Sequence, residues 1–417
     1  MQIRPILSTL RHHKLTAVLL GLQVAFTCAI VCNVAFMIAN RVRQVTLPTG
    51  LAENTLSMVG VEGITKGENP QARHAEDLAA LRSVPGVRAV VAVDSLPLSR
   101  DESSYGTCNS LQSLNQAIAA HSMDGVAGCV DASVYSGSPG ELATLGLKLA
   151  AGRDFLPGEY LPAKPGWMIA AVPSVIITRA LAAQLYPGRS ALGQSLYMGG
   201  SRPIRIVGVV DTLLRPRLRT PAVDQFSVMA PSLPGDNTVN YVMRSAPTDR
   251  DRVLKAAVAT LSRIDPDRLI PPKQTRTFAQ LRRSYFERDT TMIGLLIASA
   301  LGLLFVTALG IAGLANFWVQ QRARSIGIRR AIGATRGDIL RYFQTENFLI
   351  VGAGIVLGAA LALALNLMLM THYELPRLPL WYLPIGAAVL WMVGQLAVLS
   401  PALRAARVPP VVATRSV

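Results

Sequence analysis

The sequence predicts an α-helical membrane protein with four transmembrane helices and a large α+β domain between the first and the second of them. Of the residues, 51% are hydrophobic and 16% are charged, with a mean hydropathy of +0.36, whereas about a quarter of a soluble domain is charged. Four apolar runs are long enough to cross a bilayer. About 250 residues after the first run contain no such stretch, so we expect them to form a domain outside the membrane.

The first span is predicted at residues 15–40, after a short basic segment at residues 1–14. Its apolar run is longer than the roughly 7–15 residues of a signal-peptide core, so we expect a retained helix and not a cleaved leader. Arg4, Arg11 and Lys14 place the N-terminus in the cytoplasm, because basic residues that flank a span stay on that side.

The external domain is predicted at residues 41–289 and, on alternating topology, lies in the periplasm. Strand–helix–strand patterns occur near both of its ends, at residues 55–93 and 238–270. In each pattern we expect consecutive parallel strands that are joined by a helix with a right-handed crossover.

These two patterns divide the domain into lobes. One lobe is expected to combine about residues 41–129 and 233–280, and the other is an insert at about residues 130–232. The insert is expected to be rich in antiparallel strands, with a hairpin that turns at Gly199-Gly200.

Three further spans are predicted at residues 290–318, 348–370 and 383–400. The fourth span is expected to end at Pro401, because proline interrupts a helix. The remaining segments are a cytoplasmic loop at residues 319–347, a periplasmic loop at residues 371–382 and a cytoplasmic tail at residues 401–417. Both termini are therefore expected in the cytoplasm.

The loop at residues 319–347 is strongly basic, which keeps it cytoplasmic. Thr335 precedes Asp338 by the spacing of a capping box and so starts a new helix. We expect a short amphipathic helix, a break at Gly333 and a second helix that runs directly into the third span. Gly333 is either the joint at which the two helices turn or an ordinary helix C-cap.

Two pairs of cysteines have different expected roles. Cys108 and Cys129 both lie in the external domain, where an oxidising compartment favours a disulfide. The alternative is two free thiols that lie too far apart to bridge. Cys28 and Cys32 lie in the first span and are expected to serve in apolar packing.

Small residues repeat along one face of two spans. Gly294, Ala298 and Gly302 do so in the second span, and Gly354 and Gly358 in the third. Such faces let helix backbones approach closely. They indicate either an interface with a second subunit or packing between helices of the same chain.

Several classes of function are excluded by missing patterns. The sequence has no P-loop and no HExxH motif, and its histidines do not cluster at metal-ligand spacing, so we expect no enzyme, cofactor or metal site in this chain. No Asp, Glu or Lys lies deep in a span, which counts against an ion-driven transporter. Basic patches interleaved with aromatic residues, typical of RNA-binding proteins, are absent, so no nucleic-acid partner is expected.

The segment RARSIGIRRAIGATRGDILRYFQTE, residues 322–346, closely resembles the cytoplasmic loop of the FtsX-like, MacB-type ABC transporter permeases. Ser325 departs from the family pattern, which commonly has Glu there. The ending SPALRAARVPPVVA and the external segment LGLKLAAGRDFLPGE also look like that family. The positions that fit the loop pattern are Ile326, Gly327, Ile328, Arg329, Ala331, Gly333, Ala334, Ile339, Phe343 and Glu346.

The resemblance implies a type VII ABC transporter, in which two permeases, identical or paralogous, pair with two cytosolic ATPases that bind ATP and Mg²⁺. Closure of the ATPases would move the periplasmic domains through a coupling helix, without passage of substrate through the membrane. Met1 lies close to the first span, so the ATPase is expected on a separate chain. The expected ATPase-coupling residues are Arg324, Ile326, Gly327, Ile328, Arg329, Arg330, Ile332, Gly333 and Ala334.

Within that set, the isoleucines would fill an apolar groove of the ATPase. The arginines would pair with acidic residues of the ATPase or with lipid phosphates, or would serve only to keep the loop cytoplasmic. The resemblance implies efflux with a periplasmic adaptor and an outer-membrane channel. Two alternatives are extraction of lipoproteins, as in Lol-type relatives, and FtsX-like regulation of a cell-wall hydrolase.

Overall fold

The computed structural model describes residues 14–63, 69–163, 172–235, 238–373 and 377–407. The chain forms two compact units. The membrane unit contains the chain up to Thr46 and from Arg288 onward, and the outer unit is Leu47–Glu287. The helices are α1 (Lys14–Val45), α2 (Pro70–Arg82), α3 (Leu111–Ala120), α4 (Glu141–Leu145), α5 (Arg179–Leu185), α6 (Arg250–Ile264), α7 (Phe278–Tyr285), α8 (Glu287–Gln321), α9 (Ala323–Ala331), α10 (Arg336–Tyr373) and α11 (Tyr382–Ala406).

The strands belong to the outer unit. They are β1 (Leu56–Glu62), β2 (Ala89–Val93), β3 (Ser103–Cys108), β4 (Cys129–Ser136), β5 (Leu149–Gly152), β6 (Leu161–Pro162), β7 (Ser174–Thr178), β8 (Ser195–Met198), β9 (Ile204–Val210), β10 (Ser227–Ala230), β11 (Ser232–Leu233), β12 (Thr238–Arg244) and β13 (Arg276–Thr277). The fold class predicted from the sequence is thus confirmed: helices long enough to span a membrane are joined to a large α+β domain.

Helices α1, α8, α10 and α11 are long and apolar enough to cross a membrane. Helix α11 continues through Pro401 to Ala406, so this proline does not interrupt the helix as predicted, whereas the end of the fourth span stays a prediction. A proline inside a helix removes one hydrogen-bond donor. Ala402 and Ala405, which follow it, are fully buried in the apolar core of the helices, and this packing holds the last turns together.

Two glycines of α10 allow close packing against α1. A Cβ atom at Gly354 would lie 2.8 Å from the carbonyl oxygen of Gly21, and one at Gly358 would lie 2.5 Å from the Cβ of Cys28. Asn33 adds a link by donating its amide to the carbonyl of Ala362 at 3.0 Å. The Gly354–Gly358 face therefore serves packing within one chain, the second of the two alternatives.

The small-residue face of α8 is different. No described atom outside the helix's own backbone would lie within 4 Å of a Cβ at Gly294 or at Gly302, and both residues and Ala298 are exposed. Thr27 of α1 and Thr307 of α8 hydrogen-bond through their hydroxyls at 2.8 Å, further along the helix. A subunit interface at Gly294, Ala298 and Gly302 stays a prediction.

The first sheet of the outer unit has the strand order β13-β1-β12-β2, and its paired strands are antiparallel. The predicted strand–helix–strand units are present, but their parallel strands are not neighbours. Strand β12 lies between β1 and β2, which α2 connects. In the second unit, the segment after α6 makes a single bridge from Leu269 to Glu62 instead of a full strand. The two strand–helix–strand patterns therefore interleave. Strand β12 of the second pattern lies between β1 and β2 of the first, and β1 lies between β12 and the bridge at Leu269.

The second sheet has the order β5-β9-β7-β10-β4-β3-β8, and β8 also pairs with β9, so six of its strands close into a barrel. Most pairings are antiparallel, and β8 and β9 form the predicted hairpin. The predicted start of this lobe at residue 130 is too late. Strand β3 already pairs with β4 of the barrel, with Ser103 opposite Val134. Strand β3 has the sequence SSYGTC, in which the apolar pattern is too weak to predict a strand.

A buried arginine connects the barrel to the loop that follows β9. Arg215, with a side chain 1% exposed, donates to Glu102 and to Asp131, each at 2.8 Å. Burial would raise the pKa of Glu102, but hydrogen bonds from Ser133 and Arg215 together with nearby positive charge bring it below its ordinary value. Because each charge has partners, the network can be buried without an uncompensated ion.

Cys108 and Cys129 are joined by a disulfide. They lie opposite each other on β3 and β4, with Cα atoms 4.1 Å apart. The bond closes the base of the segment that carries α3. Cys28 and Cys32 are free and buried in the membrane unit.

Replacement of Cys108 and Cys129 by alanine is expected to destabilise the outer unit by about 3 kcal/mol, because the loop that the bond closes regains entropy in the unfolded chain. Chemical unfolding of the full-length protein in detergent measures this change. A reducing agent should destabilise the wild type and leave the double variant unaffected. An equal response of both proteins to the reducing agent would contradict the stabilising role.

Candidate functional site

The loop between α8 and α10 consists of the short helix α9 and a tight turn. Gly333 has φ +104°, in the region that favours glycine, and the N–H of Ala334 donates to the carbonyl of Arg329 at 3.0 Å. This hydrogen bond and the positive φ define a Schellman-type C-cap. Gly333 therefore ends α9 as a C-cap, which is the second of its two predicted roles.

The predicted capping box starts α10. The backbone N–H of Asp338 donates to Oγ1 of Thr335 at 3.2 Å, and the N–H of Thr335 donates back to Oδ2 of Asp338 at 3.0 Å. The two residues satisfy donors that a helix N-terminus leaves free. From there α10 continues as one helix to Tyr373, so the loop and the third span share a helix.

Helix α9 is packed onto the first turns of α10. Ile326 is 5% exposed and belongs to the same apolar core as Ile339 and Phe343 of α10 and Trp318 of α8. The predicted contact of Ile326 with an ATPase groove is therefore wrong for this conformation, because that side chain is buried against its own chain. Helical periodicity places Ile328 and Ile332 on one side of α9 and Ile326 on the opposite side, but the sequence alone does not show which side faces inward.

An ion pair closes the base of the loop. Nη1 of Arg322 donates to both carboxylate oxygens of Glu346, at 2.9 and 3.1 Å, and Glu346 is 1% exposed. Neither residue belongs to the predicted coupling set. The sequence does contain a signal for this pair. A carboxylate next to an apolar run needs a positive partner, and Arg322 lies at the end of the preceding span.

Beside the packed contact, a groove of about 540 Å³ lies between α9 and the first turns of α10. Arg329 lies over the ring of Tyr342, with 5.1 Å from the guanidinium carbon to the ring centroid. The groove combines apolar side chains with Arg329 and Asp338, so it can accept an apolar side chain next to a polar or charged group. Its lining residues are Arg322, Ser325, Ile326, Arg329, Ile332, Ala334, Asp338, Ile339, Tyr342 and Phe343.

The predicted coupling residues divide by exposure. Ile332 is 81% exposed and Ile328 is 47% exposed, so both can reach a partner. Gly327 is buried like Ile326, and Ala334 is half-buried. The side chain of Arg330 lies outside the described part of the chain. The remaining members, Arg324, Arg329 and Gly333, are exposed.

Over the described residues, no group of three or more His, Cys, Asp or Glu side chains is placed to hold a metal ion.

Two family models match the chain. The FtsX-like permease C-terminal model matches residues 297–410, which include the loop, and the MacB-like periplasmic core domain model matches residues 15–266, more than half of the chain. The chain belongs to the MacB/FtsX-type ABC transporter permeases. As such a permease it is a multi-pass inner-membrane protein with a periplasmic domain, and the recognition made from the loop sequence is confirmed.

Curated relatives agree with this family. The permease is 26% identical to "Uncharacterized ABC transporter permease YknZ" of Bacillus subtilis over 68% of this chain and 70% of the relative. It is 31% identical to "Macrolide export ATP-binding/permease protein MacB" of Agrobacterium fabrum over 57% of this chain and 36% of the relative. A MacB of Paracoccus denitrificans aligns at 26% identity over 98% of this chain and 58% of the relative. The chain thus spans less than two thirds of these MacB proteins.

Solved domains align less closely. The extracellular domain of YknZ aligns over 51% of this chain and 99% of that domain, with 16% identity and a TM-score of 0.31. The periplasmic region of MacB from Actinobacillus actinomycetemcomitans aligns over 58% of this chain and 97% of that region, with 14% identity and a TM-score of 0.34. TM-scores this low do not establish a common fold.

Gly333→Ala is expected to loosen the turn after α9, although no described side chain would meet the added methyl group. An alanine at positive φ costs about 1–2 kcal/mol, so we expect the amides around residue 333 to exchange hydrogen roughly 5–30-fold faster. Hydrogen exchange with mass spectrometry of the permease in nanodiscs measures this.

Gly337→Ala is the matched control, because Gly337 lies in the first turn of α10 with only Oγ1 of Thr335 near its position, at 3.8 Å. Alanine is compatible with a helix and should leave exchange unchanged or slower. Equal exchange in the two variants would show that the conformation of Gly333 does not hold the turn.

Proposed function

We propose that this permease transmits the ATP-driven closure of a cytosolic ABC ATPase to its periplasmic domain. The observation that carries the proposal is that α9 is packed onto α10 and that α10 continues as one helix, long and apolar enough to cross a membrane, to Tyr373. Displacement of α9 would then displace a span without an intervening joint. The loop and both termini would lie in the cytoplasm, as the distribution of arginines favours.

The exposed side of α9 would dock on the ATPase. Ile328 and Ile332 would enter an apolar groove of the partner, and Arg324 and Arg329 would meet acidic residues at its rim or lipid phosphates. Docking transmits a signal only if the contact differs in free energy between the open and closed ATPase. The groove between α9 and α10 gives a second surface whose occupation can differ between these states.

The ATPase is proposed to be a separate chain that binds ATP and Mg²⁺ itself, with this permease as a non-catalytic subunit. A second permease, identical or paralogous, would pack on the face formed by Gly294, Ala298 and Gly302. This face is open within the described chain, and small residues support close helix contacts.

Efflux of a periplasmic substrate, with an adaptor and an outer-membrane channel, is the proposed outcome of this movement. Its support is the sequence similarity to proteins whose names describe macrolide export. The large external domain favours efflux over FtsX-like regulation of a hydrolase, and lipoprotein extraction remains the Lol-type alternative. The identity of the periplasmic partner distinguishes the three.

Affinity purification of the permease from native membranes, followed by mass spectrometry, tests the proposal. We expect an ABC ATPase in the wild-type sample and its loss, by tenfold or more, with Ile332→Glu, because a charge would enter an apolar contact. Ile118→Glu is the matched control, since Ile118 is 60% exposed but lies on α3 of the outer unit.

Recovery of the ATPase with both variants would show that Ile332 is not part of the docking surface. Absence of any ATPase from the wild-type sample would overturn the proposed function. An adaptor among the periplasmic proteins supports efflux, whereas a lipoprotein carrier or a cell-wall hydrolase would replace efflux by the corresponding alternative.

A further inference from the structure

The outer unit is joined to the membrane unit by two peptide connections only, Thr46–Leu47 and Glu287–Arg288. The first follows α1 and the second lies at the start of α8. Helices α10 and α11 have no covalent connection of their own to the outer unit. A movement that follows the covalent chain from the loop to the outer unit therefore passes through these two connections.

A single arginine ties the two connections together on the side of the outer unit. Arg282, in the last turn of α7, donates from Nη1 to Oε1 of Glu53 at 2.6 Å and from Nη2 to the carbonyl of Leu47 at 2.5 Å. Oε1 of Glu53 also accepts from the hydroxyl of Thr49 at 2.6 Å. The side chains of Arg282 and Glu53 are 21% and 24% exposed, so water screens the pair less than a surface pair.

The clamp, as we name the pair Arg282 and Glu53, is anchored in the body of the outer unit. Oγ1 of Thr277 caps α7 by accepting from the N–H of Gln280, and the hydroxyl of Tyr285 accepts from the N–H of Leu218 at 2.9 Å. On the other connection, the carbonyl of Thr49 accepts from the N–H of Leu214 at 3.1 Å. Both sides of the clamp are thus fixed to the folded domain.

The membrane unit ties the same two elements a second time. Arg41, near the end of α1, pairs with Asp289 in the first turn of α8. The chain segments on both sides of the two connections are therefore tied together, by Arg41–Asp289 in the membrane unit and by Arg282–Glu53 in the outer unit. Without these ties, a displacement of α8 relative to α1 could be absorbed by backbone rotation in the short connecting segments.

We propose that Arg282 and Glu53 are positioning residues that hold the two connections together, so that the outer unit follows the movement of the ends of α1 and α8. This inference rests on the proposed function for its role in coupling, but the clamp itself can be tested without an ATPase. Both residues belong to the outer unit.

The test places nitroxide labels on α8, at Leu295→Cys, and on the outer unit, at Arg88→Cys, in a Cys28→Ala/Cys32→Ala background, because these two cysteines are free. Pulsed electron paramagnetic resonance measures the distance distribution between the labels in nanodiscs without nucleotide. We expect Glu53→Gln and Arg282→Gln to broaden the distribution. The double variant should be no broader than the single ones, because the two side chains act through one contact.

Arg153→Gln is the matched control. It breaks the pair between Arg153 and Glu159, which belongs to the same unit but flanks neither connection. Its distribution should match that of the wild type. Distributions of wild-type width in both Glu53→Gln and Arg282→Gln would overturn the clamp, whatever the result with ATP.

The second readout adds ATP to the permease together with its co-purified ATPase. We expect a shift of the mean distance in the wild type and in Arg153→Gln, and its loss in the clamp variants, while ATP hydrolysis stays within about twofold of wild type. A preserved shift in broadened clamp variants would overturn the positioning role. Absence of a shift in the wild type would overturn the proposed function and the coupling role with it, while the first readout still decides the clamp.

Discussion

The ion pair between Arg322 and Glu346 is the contact on which the geometry of the loop depends. It joins the end of α8 to the first turns of α10 across the intervening helix, and its carboxylate is almost fully buried. Removal of one partner from a buried pair leaves an uncompensated charge and costs about 3–5 kcal/mol. Ile326 packs against Ile339 and Phe343. The Arg322–Glu346 ion pair holds the start of α9 in this arrangement, and the C-cap at Gly333 fixes its end.

Polar groups inside the membrane unit serve the same purpose of fixing helices to one another. Thr27 bonds Thr307, Asn33 bonds the carbonyl of Ala362, and Asn347 bonds the carbonyl of Gly394 at 3.0 Å. Thr27, Thr307 and Asn33 also bond carbonyls of their own helices, so these side chains divide their hydrogen bonds between their own helix and a neighbouring one. They act as links between helices, which agrees with a bundle that transmits movement.

The sequence predicted the elements whose signals are local, and missed those that depend on tertiary packing. Four apolar runs, the Thr335–Asp338 capping box and the hairpin at Gly199-Gly200 each carry their pattern within a few residues. The pairing of β3 with the barrel joins strands by contacts that no local pattern records. Likewise, the spacing of Ile326 and Ile332 puts them on different sides of α9, and only the packing of α9 on α10 shows which of the two sides is buried. The clamp at Arg282 joins residues far apart in sequence, so a single sequence does not reveal it.

Among the four spans, α8 has the smallest buried share within the described chain. Of its most apolar stretch, 6% is buried within the chain, against 44% for α1 and 33% for α10. Its buried residues, Ile311, Ala315 and Trp318, lie toward its α9 end, whereas the face with Gly294 and Gly302 is uncovered. Helix α10 is packed closely against α1 through Gly354 and Gly358, whereas α8 meets α1 through the hydrogen bond between Thr27 and Thr307 and through the Arg41–Asp289 pair. Since α8 is also the helix that leads into the outer unit, the span with the smallest buried share lies on the path that the proposed movement has to take.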